Sequence, residues 1–249
     1  MHKERFRALL RDVARRMGLT ARTVDQLVRS AQMGRWKKGQ NIFSPEDTAD
    51  FVNFLVVGVV KVSCPSGAGT VCVQLIRPGQ FFGLNWYADK GQPRLFSASA
   101  FTDATVAIIT NDMMAELVAS SPPPGVLGVV SFSWRVLSRL LYEKCCLLGL
   151  RLEERLIHQL AVLARDFGCD ADTGILIDLP LTHADLAEFA LASRANVARV
   201  MKRFERGGLI AKDRRKILIT ARFFDQRYNP GVSQILRGDL VPSPSRSIA

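Results

Sequence analysis

The sequence is poor in the residues that carry metal chemistry and catalysis. It has three histidines, His2, His158 and His183, and five cysteines, Cys64, Cys72, Cys145, Cys146 and Cys169. No two cysteines form a CxxC pair, and their spacing matches no zinc or iron–sulfur pattern. No metal site and no cofactor are expected. A Ser/His/Asp set, a carboxylate pair and a phosphate loop are all missing, which argues against an enzyme. No apolar run approaches the length of a transmembrane helix, so no membrane partner is expected. The N-terminus lacks the apolar stretch of a secretory signal. Its Arg-rich, amphipathic start has the look of a transit peptide, but Glu4 and Asp12 count against that. An odd number of cysteines without a signal points to reduced thiols in a cytoplasm. Cys64 and Cys72 read as core residues of strands, and one of Cys145 and Cys146 should be buried on a helix.

What the chain does have is apolar residues and an uneven charge. Of its 249 residues 48% are hydrophobic, which excludes disorder throughout. The length suits one large domain or two small ones. The net charge is +11, with residues 1–40 at +8, residues 41–181 at −4 and residues 182–228 at +6. Two basic ends around an acidic middle suggest that the ends meet a polyanion, although arginines on solvated faces would give the same sums.

Periodicity divides the chain into segments. Residues 1–35 read as a helical extension: Phe6, Leu9, Leu10, Val13 and Met17 share a stripe, Gly18 ends that helix, and Thr20 caps a second. This pair is expected to pack on the rest of the chain rather than to act as a DNA-binding or partner arm. From 36 to 125 the pattern becomes short β-branched and aromatic runs with turn residues between them, the mark of a β-sandwich or jelly-roll. The clearest strands are Phe51–Val62, Val71–Ile76, Leu95–Ala100 and Ala104–Thr110. A short helix, Asn111–Ala119, runs into the prolines at 122–124.

One long helix is expected over 126–167. Leu127, Trp134, Leu141 and Leu148 recur every seven residues, with Val130 and Leu137 between them. That is a coiled-coil seam, although Lys144 weakens it, and it favours a homodimer over a single buried helix. Phe132, Val136, Leu140 and Leu147 form a second apolar surface. Residues 168–174 read as a loop, and the tail at 229–249 as flexible.

The most informative segment is 181–205, inside a DNA-binding domain expected over 168–228. Thr182 with Asp185 resembles a capping box, and Leu186 and Phe189 line the inner face of a short helix. After a break at Leu191-Ala192, Ser193 caps a second helix. Val197, Val200, Met201 and Phe204 form its underside, leaving Arg194, Ala195, Arg199, Lys202 and Arg203 outward. A recognition helix needs this arrangement: early residues reach base edges, and later cations meet phosphate. Asn196 adds a secondary base or phosphate contact. Gly207-Gly208 then leads into two short apolar strands joined by a cationic tip with Arg214 and Arg215, a wing. The order helix, turn, helix, wing is what a merely basic helical bundle does not explain. The candidate DNA-binding residues are Thr182, Ser193, Arg194, Ala195, Asn196, Arg199, Lys202, Arg214 and Arg215.

Over about residues 36–220 the chain resembles the Crp/Fnr regulators. The resemblance rests on Ser193-Arg194, Val197, Arg199, Lys202 and Leu209-Ile210. In the sensor region it rests on Gly58, on Gly79-Gln80-Phe81-Phe82-Gly83 and on Arg94, which matches the arginine of a phosphate-binding cassette. It implies an α+β chain with an N-terminal β-roll sensor domain, a long dimerisation helix and a C-terminal winged helix-turn-helix. It further implies a homodimer on double-stranded DNA, with RNA polymerase as a further partner. The effector pocket would then be lined by Phe82, Gly83, Leu84, Asn85, Arg94, Leu95, Phe96, Ser97, Leu140 and Leu141.

The departures from the family pattern also carry information. Leu84 stands where the ribose-binding Glu would be, Leu95 where a Ser would follow the arginine, and Leu140-Leu141 where Thr-Ser would meet the base. Cyclic AMP is therefore not expected as effector. Arg94 remains either an anion partner or an ordinary exposed loop arginine. Ala195 stands where the family often has Glu, which favours apolar contact with thymine. Leu191 stands where the turn often has Gly, so the turn is either looser or filled by a core side chain. The competing reading is an effector-binding module whose basic helices contact protein or membrane rather than an operator.

Overall fold

The structure, a computed structural model, describes residues 2–67, 69–84, 91–213 and 216–225. These divide into two compact units on either side of Leu140.

In the first unit, α1 (His2–Met17) and α2 (Ala21–Ser30) bury one stripe each, Phe6, Leu10, Val13, Ala14 and Met17 on α1 and Val24, Leu27 and Val28 on α2. Apolar residues at three- and four-residue spacing dictate that stripe. Thr20 starts α2 by accepting the Thr23 amide at 3.2 Å. The eight strands that follow are β1 (Gln32–Trp36), β2 (Asn41–Phe43), β3 (Phe51–Val57), β4 (Val60–Ser66), β5 (Gly69–Ile76), β6 (Phe81–Phe82), β7 (Ser97–Ala100) and β8 (Ala104–Thr110). They form two antiparallel sheets, ordered β1-β8-β3-β6 and β2-β7-β4-β5.

Strand β3 explains how these parts fit together. It is buried on both faces. Val52, Phe54 and Val56 join the cluster made with α1 and α2, where the Phe6 and Phe54 rings lie 5.2 Å apart. Leu55 joins the opposite cluster inside the roll, with Phe43, Val60, Ile76, Phe82 and Val106. Alternation along a strand produces this division, and the short strand β6 repeats it: Phe81 faces the helices and Phe82 the roll.

Next come α3 (Asn111–Ala119), capped by Thr110, and α4 (Pro123–Leu148). Pro123 suits a first helical position, because its missing amide would find no intrahelical partner there. The end of α1 lies backbone to backbone on α4. A side-chain carbon at Gly128 would sit 1.9 Å from the Met17 carbonyl oxygen, so that contact requires glycine. No helix among the described residues is long and apolar enough to cross a membrane.

The second unit holds the end of α4 and then α5 (Leu152–Phe167), β9 (Gly168–Ala171), β10 (Gly174–Ile177), α6 (His183–Ala190), α7 (Arg194–Arg206), β11 (Ile210–Asp213), β12 (Lys216–Thr220) and a 3-10 turn, Ala221–Phe224. Its antiparallel sheet runs β11-β12-β10-β9.

Several expectations need correction. Strand structure begins at Gln32, not after residue 35. The run Phe51–Val62 is two strands that turn at Gly58-Val59, where a side chain at Gly58 would strike the Asp103 carbonyl. The strand expected from Leu95 begins at Ser97. The helix expected over 126–167 is broken at Gly149-Leu150-Arg151. The Arg151 amide turns to the Glu154 carboxylate at 2.7 Å and so starts a new helix. Residues 168–174 are not a loop but β9 and the start of β10, a hairpin. Cys72 is buried, Cys64 and Cys146 are half-buried and Cys145 is exposed, so neither member of the 145–146 pair is fully buried. The tail after residue 225 lies outside the described residues.

Candidate nucleic-acid interface

Helix α7 presents a sorted surface. Val197, Val200, Met201 and Phe204 are buried, while Arg194, Ala195, Asn196, Arg199, Lys202, Arg203 and Arg206 are exposed. At about 100° per residue Ala195, Arg199, Lys202 and Arg206 lie opposite the buried stripe, with Arg194 on one flank and Asn196 and Arg203 on the other. Ser193 caps the helix by accepting the Asn196 amide at 3.3 Å. The N-terminal end thus carries Ser193, Arg194 and Asn196 together. Arg214 and Arg215 at the wing tip lie outside the described residues.

Helix α6 is bounded by two local devices. Thr182 and Asp185 form a reciprocal capping box, with Thr182 N to Asp185 Oδ2 at 2.8 Å and Asp185 N to Thr182 Oγ1 at 3.1 Å. The Thr182 hydroxyl also donates to Asp185 at 2.6 Å, so its proton is committed within the cap rather than free for a phosphate. At the other end Leu191 adopts a left-handed conformation, φ 53° and ψ 53°, and its amide donates to Ala187 O. The turn is therefore tight, and the half-exposed Leu191 side chain fills no core gap.

Sequence reasoning missed the contribution of α5. Arg155 reaches the Ala190 carbonyl through Nε at 2.8 Å and the Leu150 carbonyl through Nη1 at 3.0 Å. A cation at the end of α6 answers the partial negative charge of its last carbonyls. Glu153 pairs with Arg203 of α7, and Arg165 pairs with Glu143 of α4 at 3.4 Å. His158 is buried in α5, with Nδ1 unpartnered. Burial lowers its pKa, Glu143 opposes this, and Arg165 and Lys144 reinforce it. His183, at the start of α6, is lowered by burial and then by Lys212 and Arg194, while Glu205 opposes. Burial is thus the larger cause at His183, and the nearby cations of α7 and β11 act in the same direction.

The sensor candidates separate into groups. Phe82, Gly83 and Arg94 lie together inside the roll. Arg94 is 5% exposed, which corrects the exposed-loop alternative. Its Nη2 donates to Phe51 O at 2.8 Å, and its guanidinium lies 4.0 Å from the Phe43 ring centroid. Burial lowers its pKa, with Asp47 and Asp50 opposing. Gly83, at φ +67°, makes room for it: a side chain there would meet Arg94 Nη1 at 2.7 Å. Leu84 faces the other way. It lines a small apolar gap of about 20 Å³ with Phe81, Met17, Leu27 and Phe132. Leu95 and Phe96 are exposed, and Ser97 donates to Ser63 O at 3.3 Å. Asn85 lies outside the described residues. On α4, Leu140 is half-buried and Leu141 exposed.

The α4 seam is unmatched within one chain. Leu127, Val130, Trp134, Leu137, Leu141 and Leu148 are between 49% and 79% exposed. The second surface is covered, with Leu147 1% exposed and Phe132, Val136 and Leu140 half-buried.

Comparison with known proteins agrees with this architecture. Residues 34–121 match the cyclic nucleotide-binding domain, and residues 154–222 match the Crp-like helix-turn-helix domain. A global nitrogen regulator of Synechocystis is 31% identical over 185 residues, 73% of this chain and 81% of that protein. A CRP-like cAMP-activated global transcriptional regulator of Mycobacterium tuberculosis is 24% identical, over 82% of this chain and 90% of its own. Among solved structures, the c-di-GMP responsive global regulator CLP of Xanthomonas campestris has a TM-score of 0.69 at 18% identity, covering 81% of this chain and all of CLP. FixK2 of Bradyrhizobium japonicum has a TM-score of 0.64 at 16% identity, covering 86% and 99%. The two structures share the fold. The sequence matches define the class, a DNA-binding transcription regulator. The chain belongs to the Crp/Fnr family.

Proposed function

We propose that the chain binds an inverted-repeat operator as a homodimer, with α7 of each protomer in the major groove, and that cyclic AMP does not control it. The sorted surface of α7 carries the reading: its apolar side is consumed by the fold, and its free side is cationic from the first turn onward. The unmatched α4 seam supports the dimer. A two-fold dimer places its half-sites about 34 Å apart, one turn of DNA. Arg194 grips a guanine, Arg199 reads a neighbouring base, and Lys202 meets phosphate. The site works by binding rather than catalysis, in the cytoplasm, with RNA polymerase as the onward partner.

Cyclic AMP is set aside on the chemistry of the roll. Arg94 gives one N–H to Phe51 O and lies over the Phe43 ring, while its buried Nε has no partner, so a charge for an anion is present; Leu84, Leu95, Leu140 and Leu141, however, offer no polar group to ribose or base.

The test is selection from a randomised duplex library with the full chain, followed by titration of Arg194→Ala and Lys202→Ala across salt. Arg194→Ala is expected to cost about 1–3 kcal/mol per half-site and relax preference at one base pair. Lys202→Ala is expected to weaken all sequences alike and flatten the salt dependence by about one unit of slope per contact. Uniform loss in Arg194→Ala with preferences intact sinks the docking. A micromolar calorimetric isotherm with cyclic AMP overturns the effector reading.

A further inference from the structure

The exposed residues of α7 are not equally free. Asn196, Arg199 and Arg203 recur at three- and four-residue spacing, which sets them along one side of the helix. They line a cleft with Arg151, Glu153 and Glu154 at the start of α5. Arg203 is held there by Glu153. Arg199 donates through Nη2 to Asn196 Oδ1.

The second bond changes what Asn196 can read. A free asparagine recognises adenine with two bonds, its Oδ1 accepting from N6 and its Nδ2 donating to N7. With one of the two Oδ1 lone pairs taken by Arg199, and a guanidinium held against that oxygen, the accepting half of that contact is compromised. The pair Asn196–Arg199 then presents mostly donors: the Asn196 amide N–H groups and the remaining guanidinium N–H groups, against one lone pair left on Oδ1. A surface dominated by donors fits acceptors, which in the major groove means guanine O6 and N7, or a phosphate oxygen. The bond also restricts a long side chain that otherwise loses rotamer freedom on binding.

We infer that Asn196 is a positioning residue which aims Arg199 at a guanine edge, and that it does not read adenine. This rests on α7 being the helix that reads the operator.

The experiment compares wild type, Asn196→Ala, Asn196→Asp, Arg199→Ala and the double Asn196→Ala/Arg199→Ala, with Arg194→Ala as control. Each full-length variant is titrated on the selected operator and its single-substituted versions. Arg199→Ala is expected to lose about 5- to 150-fold of discrimination at one G·C pair, the worth of one bidentate contact. Asn196→Ala is expected to relax that same pair by about threefold or more, and the double variant to discriminate no worse than Arg199→Ala alone. Asn196→Asp keeps the accepting oxygen, so it retains the G·C preference while its charge lowers affinity for every sequence alike.

Three results overturn the inference: Asn196→Ala relaxing an A·T pair instead, losses that add in the double variant, or no change of preference in Asn196→Ala. In each of these Arg194→Ala and Arg199→Ala still alter base preference, so the recognition helix stands. If neither arginine variant alters any preference, the docking of α7 fails and the inference fails with it.

Discussion

Replacing Leu141 by glutamate tests the seam directly. Leu141 is 56% exposed in one chain, so the substitution removes little from the protomer's own core. Full burial of such a side chain is worth about 1.5–3 kcal/mol, and roughly half of that is still to be gained when a second copy covers it. Two symmetric copies therefore lose about 2–3 kcal/mol of apolar burial. Facing carboxylates at the same position add several kcal/mol of desolvation and repulsion. At about 1.4 kcal/mol per tenfold, the dimer constant is expected to fall by a thousandfold or more. Sedimentation equilibrium reads this as a monomer at concentrations where the parent is a dimer, and operator binding weakens in parallel. The far-UV circular dichroism stays unchanged.

Leu147→Ala supplies the contrast. Leu147 is 1% exposed, so its loss is expected to cost the fold about 2–5 kcal/mol. An undiminished Leu141→Glu dimer would refute the assignment of this face, whatever the stability of the protomer.

Three other outcomes are expected. Gly83→Ala should destabilise the roll by about 1–3 kcal/mol in denaturant, because its new carbon meets Arg94 and its backbone is left-handed; an unchanged midpoint would show that Arg94 moves freely. Leu191→Asn should raise stability by about 0.5–1 kcal/mol, since asparagine tolerates the conformation that Leu191 holds while half-exposed, and a drop would reveal packing by that side chain. For His158 the folded pKa is depressed, so the unfolded chain binds more protons near pH 6.5 and stability falls as pH drops below about that value. His158→Gln should flatten that acid limb, with Glu143, Arg165 and Lys144 left in place, and an unaltered limb assigns it to other groups.

The parts of the fold legible in the sequence are those set by near neighbours. Thr182 and Asp185, Ser193 and Asn196, and Thr20 and Thr23 are caps closed within three residues, and each marks a helix start correctly. The exposed apolar row of α4 and the buried underside of α7 follow from periodicity alone. The misreadings involve partners far along the chain or local rules overruled. Nothing near Gly149 stops a helix as proline would, and the apolar pattern runs on through Leu150, Leu152 and Leu156. The stop depends on Glu154 and on Arg155 reaching Ala190, 35 residues away. Arg94 looks like a loop arginine because its acceptor, Phe51 O, is 43 residues distant. Residues 168–171 look like a loop because all four are exposed; only pairing with β10 makes them a strand. Leu191 defeats propensity outright, since its neighbours hold it where glycine is usual.

The two helices that precede the β-roll lie outside both regions matched to known domains, which begin at residue 34. Yet Phe6, Leu10 and Leu27 are among the most deeply buried side chains of the molecule, and they close the outer face of β3. Cutting the chain back to its recognisable part would strip the cover from Val52, Phe54 and Val56 and leave an oily sheet facing water. Gly128 and Gly18 reinforce the bond, for the hinge of this cover is pressed against α4 with no space for a side chain at position 128. The portion that those two domain matches cover is thus smaller than the portion that shares this core, and anyone dissecting this regulator into pieces must carry the first thirty residues along with the roll.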